Sequence, residues 1–174
     1  RLGVFGAGER AVTLMASGAI VTEAIQAAEQ LAADGWRAEV VSVTSWSELA
    51  RDGQRCEAQG GEPYLAQLLA HTRGPIVAAS DYVRALPEMV RAYLPEGRRC
   101  ATLGTDGFGR SDTRAALRRF FSVDAQAIAQ RAEQLALLRK ILSLSPQAKD
   151  VRDYVDFIEP KEPRADERYA WAPE

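Results

Sequence analysis

Four short apolar runs punctuate the chain: 12–17 (VTLMAS), 38–45 (AEVVSVTS), 75–80 (PIVAAS) and 99–105 (RCATLGT). Between them, apolar residues recur every three or four positions, the spacing of a helix that buries one face. In residues 19–35, Ile20, Ala24, Ala27, Ala28 and Leu31 form such a stripe, and Gly35 ends it. The Ser45-x-x-Glu48 spacing marks a helix start, in which the serine hydroxyl accepts from the backbone N–H three residues on and the glutamate reaches back to the N–H of the cap. That helix is expected to be short and to end near Gly53, with 53–62 (GQRCEAQGGE) as a loop. Pro63 then precedes a stripe of Tyr64, Leu65, Leu68 and Leu69. The segment 81–95 has a helical period, but Pro87 is expected to kink or interrupt it.

The last strand run leads into LGTDGFGRSDTRAALRRFF, residues 103–121. A helix is expected from Asp112 to about Phe121, exposing Arg114, Arg118 and Arg119 and burying Leu117, Phe120 and Phe121, after which Asp124 caps a longer helix. Strands alternating with helices, the strands being apolar throughout, imply an α/β fold of three layers. A mostly parallel sheet lies in the middle with helices on both faces. The expected organisation is a linker over 1–11, the α/β domain over 12–142, and a terminal region over 143–174. That last region comprises an amphipathic helix from Pro146, with Val151, Tyr154, Val155 and Ile158 on one face, and a Pro-rich tail.

Composition narrows the choice of chemistry. The chain has 174 residues, 47% hydrophobic and 26% charged, with a formal charge of −2, so no general attraction draws it to nucleic acid or an anionic membrane. No apolar run reaches the roughly 18 residues of a membrane span. Cys56 and Cys100 are far apart with no CxxC, which suits a reducing cytoplasm and offers no zinc site. The one histidine, His71, has no serine or cysteine partner recognisable by spacing, and no carboxylate pair or metal motif stands out. The reading is of a chain with no catalytic, cofactor-binding or metal-ligating residue of its own.

Two glycine-rich stretches could be taken for phosphate loops. GVFGAG, residues 3–8, precedes the first expected strand, whereas a dinucleotide loop follows one. DGFGRSD, residues 106–112, lacks the Lys-Ser/Thr of a Walker loop and the third glycine of the dinucleotide fingerprint, and Asp106 and Asp112 would oppose a phosphate. It reads instead as an elbow between strand and helix. Phe108 is expected to plug a pocket, Ser111 or Asp112 to cap the helix, and Asp106, Arg110 and Ser111 to tie neighbouring loops or a subunit boundary. Arg114, Arg118 and Arg119 are expected to face an acidic partner or solvent.

Taken in order, VTLMASGAIVTEAIQAAEQLAADG, VVSVTSWSELARDGQ, PYLAQLL, GPIVAASDYVRALPEMVRAYLP and TLGTDGFGRSDTRAALRRFFSVDAQAI resemble the C-terminal domain of homodimeric-type pyruvate dehydrogenase E1 components. The wider group is the transketolase-like, thiamine-diphosphate-dependent enzymes. The resemblance covers about residues 12–135, and SVTSWSELARDG and LGTDGFGRSDTR are its most specific parts. It implies a small α/β domain that helps form a homodimer, with thiamine diphosphate and Mg²⁺ held by other domains of the parent. It further implies a parent that decarboxylates a 2-oxo acid, pyruvate by preference, and reductively acylates a lipoyl-bearing E2 partner. A transketolase-type enzyme domain and a free-standing interaction subunit remain alternatives. The chain opens on Arg1, which leaves fragment and separate subunit both open.

Overall fold

The computed structural model describes residues 1–144; the expected terminal helix and tail beyond that point lie outside the described residues. The chain divides into a sheet-bearing unit, Arg1–Ala136, and a second unit, Leu137–Glu174, whose described part is the end of a long helix.

Five strands form one sheet: β1 (Gly3–Phe5), β2 (Arg10–Ala16), β3 (Trp36–Ser42), β4 (Ile76–Ala79) and β5 (Cys100–Leu103), in the order β1-β3-β2-β4-β5. The four longer strands pair in parallel, and β1 pairs antiparallel with β3 at one edge. The segment 1–11, expected as a linker, therefore contributes a strand. Its three residues carry too little pattern to register as one, and pairing with β3 is what makes it a strand.

Side chains along the strands alternate between two cores, as the pleat requires. Val12, Leu14 and Ala16 of β2, Trp36, Ala38 and Val40 of β3, Val77 and Ala79 of β4 and Leu103 of β5 point to one face. There they meet helix α1 (Ile20–Ala33) and the start of α6 (Ala125–Leu144). Met15, Val41, Ile76 and Ala78 point to the other face, against α2 (Trp46–Gln59), α3 (Tyr64–Leu69) and the short α4 (Ala85–Glu88). The switch of face follows from right-handed crossovers. β2 to β3 steps outward in one direction, while β3 to β4 and β4 to β5 step in the other, so their helices must lie on the opposite side. Each fully buried Leu, Ile or Val in these layers contributes about 1.5–3 kcal/mol of burial free energy.

Ser45 caps α2 as its spacing suggests, accepting from Glu48 N–H at 3.2 Å, but the Glu48 carboxylate pairs with Arg51 one turn on and not with the cap N–H, and the helix does not stop at Gly53; it runs to Gln59. Gly53 is buried against Tyr93, whose Cγ an added Cβ would meet at 2.3 Å, so the glycine is a packing site inside the helix and not its end. Pro87 sits in the first turn of α4, where its missing N–H costs nothing, and a 3₁₀ turn over Arg91–Tyr93 follows.

At the amino ends of the strands, Arg98 acts as a clamp. Its guanidinium donates to Gly74 O at 2.6 Å, Thr72 Oγ1 at 2.7 Å and Thr13 Oγ1 at 2.9 Å. Those bonds join the loop before β4 to β2 and to the loop before β5. Glu39, buried on β3, is held by Arg1 and Arg37, each at 3.1 Å.

Candidate functional site

The carboxyl ends of the parallel strands carry the loops that the sequence singled out. β2 runs out at Ser17, β4 at Ser80 and β5 at Gly104, and β2 and β4 flank the point where the strand order reverses. In open α/β sheets that crevice is where ligands and partners gather. A hydroxyl chain bridges it: Trp46 Nε1 donates to Ser17 Oγ at 2.9 Å, Ser17 Oγ donates to Ser80 Oγ at 3.2 Å, and Ser80 Oγ accepts from Tyr82 N–H at 3.1 Å. These groups satisfy one another, and so order the crevice.

Beside it, the loop after β5 is stapled to the loop after β4. Thr105 N–H donates to Tyr82 O at 2.9 Å and Thr105 Oγ1 to Asp81 O at 2.9 Å. Asp106 accepts twice from Arg84, from the backbone N–H at 2.8 Å and from Nε at 2.6 Å. Partial burial pushes the Asp106 carboxyl up, but the two Arg84 hydrogen bonds and the guanidinium charge together outweigh it, and the group sits below the ordinary carboxylate range. Gly104 permits the approach, since a Cβ there would lie 2.6 Å from Arg84 N.

Past this clamp the elbow projects. Gly107 takes φ +94° and Phe108 is 79% exposed, so it plugs no pocket of its own chain. Asp106, two residues earlier, is pinned to Arg84, and the glycines on either side of the ring stand in open space and give it no neighbouring side chain to pack on. Thr113 and not Ser111 or Asp112 caps α5 (Arg114–Phe120): its hydroxyl accepts from Ala116 N–H at 3.3 Å, while Asp112 Oδ1 accepts only from Thr113 N–H and Ser111 stays exposed. Helix α5 has no fully buried residue. Phe120, expected inside, is 50% exposed; its ring meets Phe121 edge-on at 4.9 Å and carries the Arg110 guanidinium at 4.2 Å. Tyr82 and Val83, also exposed, lie in the loop that holds Asp106.

The arginines of α5 divide. Arg114 and Arg119 are exposed, whereas Arg118 reaches Glu23 of α1 at 2.6 Å. Glu23 also accepts from Ala125 N–H, at the start of α6, at 2.9 Å, and Asp124 Oδ1 accepts from Ala127 N–H at 2.9 Å. The structure thus groups Asp106 with the clamp, Phe108 and Arg110 with an exposed aromatic surface, and Arg114 and Arg118 with a separate groove. Arg84 and Glu23, the partners that organise the first and last of these, have no local signal in the sequence.

Among the described residues, no three His, Cys, Asp or Glu side chains are arranged to hold a metal ion. Cys100 is also chemically quiet, as burial pushes its thiol up to about 11.

The fold and its loops fit a known domain class. The family model described as the Transketolase-like TK C-terminal domain matches residues 4–124, and the chain belongs to this family. Among curated relatives, the pyruvate dehydrogenase E1 component of Mycobacterium tuberculosis is 46% identical over 124 residues, covering 66% of this chain and 13% of that protein. The pyruvate dehydrogenase E1 component of Escherichia coli K12 is 45% identical over 126 residues, covering 67% of this chain and 14% of that protein. The chain therefore spans about one-seventh of the length of these relatives. Among solved structures, a split gene transketolase, described as an inactive beta4 tetramer, superposes with a TM-score of 0.55 at 23% identity, covering 75% of this chain and 41% of that one. Transketolase from Leishmania mexicana superposes with a TM-score of 0.50 at 22% identity, covering 77% of this chain and 18% of that one. These neighbours share the α/β transketolase C-terminal fold. No helix among the described residues is long and apolar enough to cross a membrane.

Proposed function

We propose that this chain is the C-terminal assembly domain of a thiamine-diphosphate-dependent 2-oxo acid dehydrogenase E1 component, with pyruvate as the substrate of the parent and the cytoplasm as its compartment. The observation that carries the reading is the 46% identity to a pyruvate dehydrogenase E1 component over 124 residues that make up only 13% of that relative. In such a parent, thiamine diphosphate supplies the carbanion stabilisation needed for decarboxylation. The residues of this chain bind and orient other protein: they work in assembling a homodimer that delivers an acyl group to a lipoyl-bearing E2.

The assembly surface is the elbow at the carboxyl end of the sheet. Phe108, Phe120 and Tyr82 offer apolar area to a neighbouring domain, Arg110 covers one ring, and the Asp106–Arg84 clamp holds the loops in one geometry before contact. A surface ordered in advance loses less entropy on docking than a mobile one.

The test is a chimera in which residues 4–124 replace the equivalent segment of the M. tuberculosis E1 component. Sedimentation is expected to show a dimer, and pyruvate-dependent reductive acetylation of a lipoyl domain is expected to persist. A chimera that folds but stays monomeric and inactive overturns the proposal. So does tight binding of thiamine diphosphate and Mg²⁺ by the 174-residue chain alone in calorimetry.

A further inference from the structure

Helices α1 and α5 and the start of α6 line an open groove of about 420 Å³ on the sheet-bearing unit, which shares no residue with the Asp106–Arg84 clamp. Its walls include Glu23 and Gln26 of α1, Arg114, Arg118 and Arg119 of α5, and Gln126 near the start of α6. We infer that this groove is a binding site for a small, multiply charged phosphate anion, gripped by Arg114 and Arg119 with Arg118 as a fixed wall.

Most of the charges around the groove are already committed. The carboxylates in the groove are Glu23 and Asp124. Glu23 has both oxygens engaged, Oε1 with Arg118 at 2.6 Å and Oε2 with Ala125 N–H at 2.9 Å. Asp124 Oδ1 is spent on Ala127 N–H at 2.9 Å. The start of α6 is thus capped from within, and the partial positive charge there offsets the carboxylates in place of attracting a ligand. Arg118, anchored also to Ala19 O at 3.4 Å, cannot swing away.

Arg114 and Arg119 are different: both line the groove, and among the described residues neither guanidinium has an ion pair or hydrogen bond. Three guanidinium groups against two carboxylates, Glu23 engaged through both oxygens and Asp124 through Oδ1, leave the groove with a net positive charge and with Arg114 and Arg119 uncommitted. Arg114 and Arg118 are four residues apart on α5 and so share a face, while Arg119 follows next to it. Two arginines at separate positions along one groove suit the tetrahedral oxygens of a phosphate, which accept from several directions, better than a planar carboxylate, which one fork saturates. The amides of Gln26 and Gln126 add neutral donors for further oxygens.

The experiment titrates the 174-residue chain with inorganic pyrophosphate, without metal and at constant ionic strength, by calorimetry and by amide chemical-shift mapping. The expected result is saturable binding with shifts confined to the segments around residues 23–26 and 114–126. Arg114→Gln and Arg119→Gln are each expected to weaken it by about tenfold, since a charged hydrogen bond is lost in each. Both positions are exposed, and circular dichroism of each variant checks that the fold is kept. Shifts that map elsewhere, or equal affinity in wild type and both variants, overturn the site. If hexaglutamate at the same ionic strength binds the groove more tightly than pyrophosphate does, the phosphate assignment is overturned as well. The proposal does not rest on the assembly reading: a failed chimera leaves this titration unaffected, and a failed titration leaves the chimera unaffected.

Discussion

Arg118 of α5 meets Glu23 of α1 at 2.6 Å, joining residues 95 positions apart, and Glu23 simultaneously accepts from the first amide of α6. One carboxylate thus fixes three helices over one face of the sheet. Both side chains are largely shielded, 19% and 12% exposed, so neither is an ordinary surface pair. Glu23→Ala leaves the Arg118 guanidinium and the Ala125 N–H without their acceptor and is expected to cost about 2 kcal/mol of stability. Urea unfolding measures it. A double-mutant cycle with Arg118→Ala is expected to show coupling, because each single change removes the same bond.

Gly53→Ala separates helix propensity from packing. In an exposed helix that change would stabilise by up to about 1 kcal/mol, but here the new methyl would lie 2.3 Å from the base of the Tyr93 ring. The ring is close to its own backbone and cannot swing clear, so net destabilisation of about 1–3 kcal/mol is expected. Combining the change with Tyr93→Ala should recover part of the loss, read as a smaller second step in the midpoint of denaturation.

The Asp106 carboxyl sits below its ordinary value of 3.8 in the folded chain. A depressed folded value means that the stabilisation is complete above the unfolded value and is lost as pH falls through the folded one. Wild-type stability is therefore expected to decline in acid below about 3.8 more steeply than that of Asp106→Asn. In the same window, the Arg84 and Thr105 amides should lose protection from hydrogen exchange together, since one clamp orders both loops. Protection that persists in the acid range would show that the clamp does not depend on the charge.

Cys100 should resist alkylation. Raising a thiol from 9.0 to about 11 lowers its thiolate fraction at neutral pH by about a hundredfold. Iodoacetamide labelling followed by peptide mapping is expected to modify Cys100 slowly in the native chain and readily in urea. Fast native labelling contradicts the burial.

Phe108→Ser tests the exposed elbow. With the ring 79% exposed, stability should change by no more than about 0.5 kcal/mol, while dimerisation of the chimeric E1 should weaken. A stability loss well beyond that would place the ring inside a contact of its own chain.

The layered fold was legible because its signals are local. The runs around Val12–Ala16, Val40 and Ile76–Ala79 alternate between two cores, and the stripe of Ile20, Ala24, Ala27, Ala28 and Leu31 marks the buried face of α1. The Ser45–Glu48 spacing and Asp124 named two helix starts, since a cap lies within three residues of the N–H it receives. Each rests on a period or an offset of a few residues, which neighbouring letters suffice to specify.

Neighbouring residues were thus enough to specify the alternation of elements, the parallel sheet and the family. Tertiary structure alone decided that residues 3–5 form an edge strand, that α2 passes through Gly53, that Phe108 and Phe120 face outward, and that Arg118 belongs to Glu23 while Arg114 and Arg119 have no such partner among the described residues. The physical reason is distance along the chain. A glycine reads as a helix stop until a ring from another element is seen to need its missing Cβ, and an aromatic reads as core until the clamp that holds its loop off the sheet is known. An arginine becomes an anchor or a free donor only when the fold has chosen which carboxylate it meets.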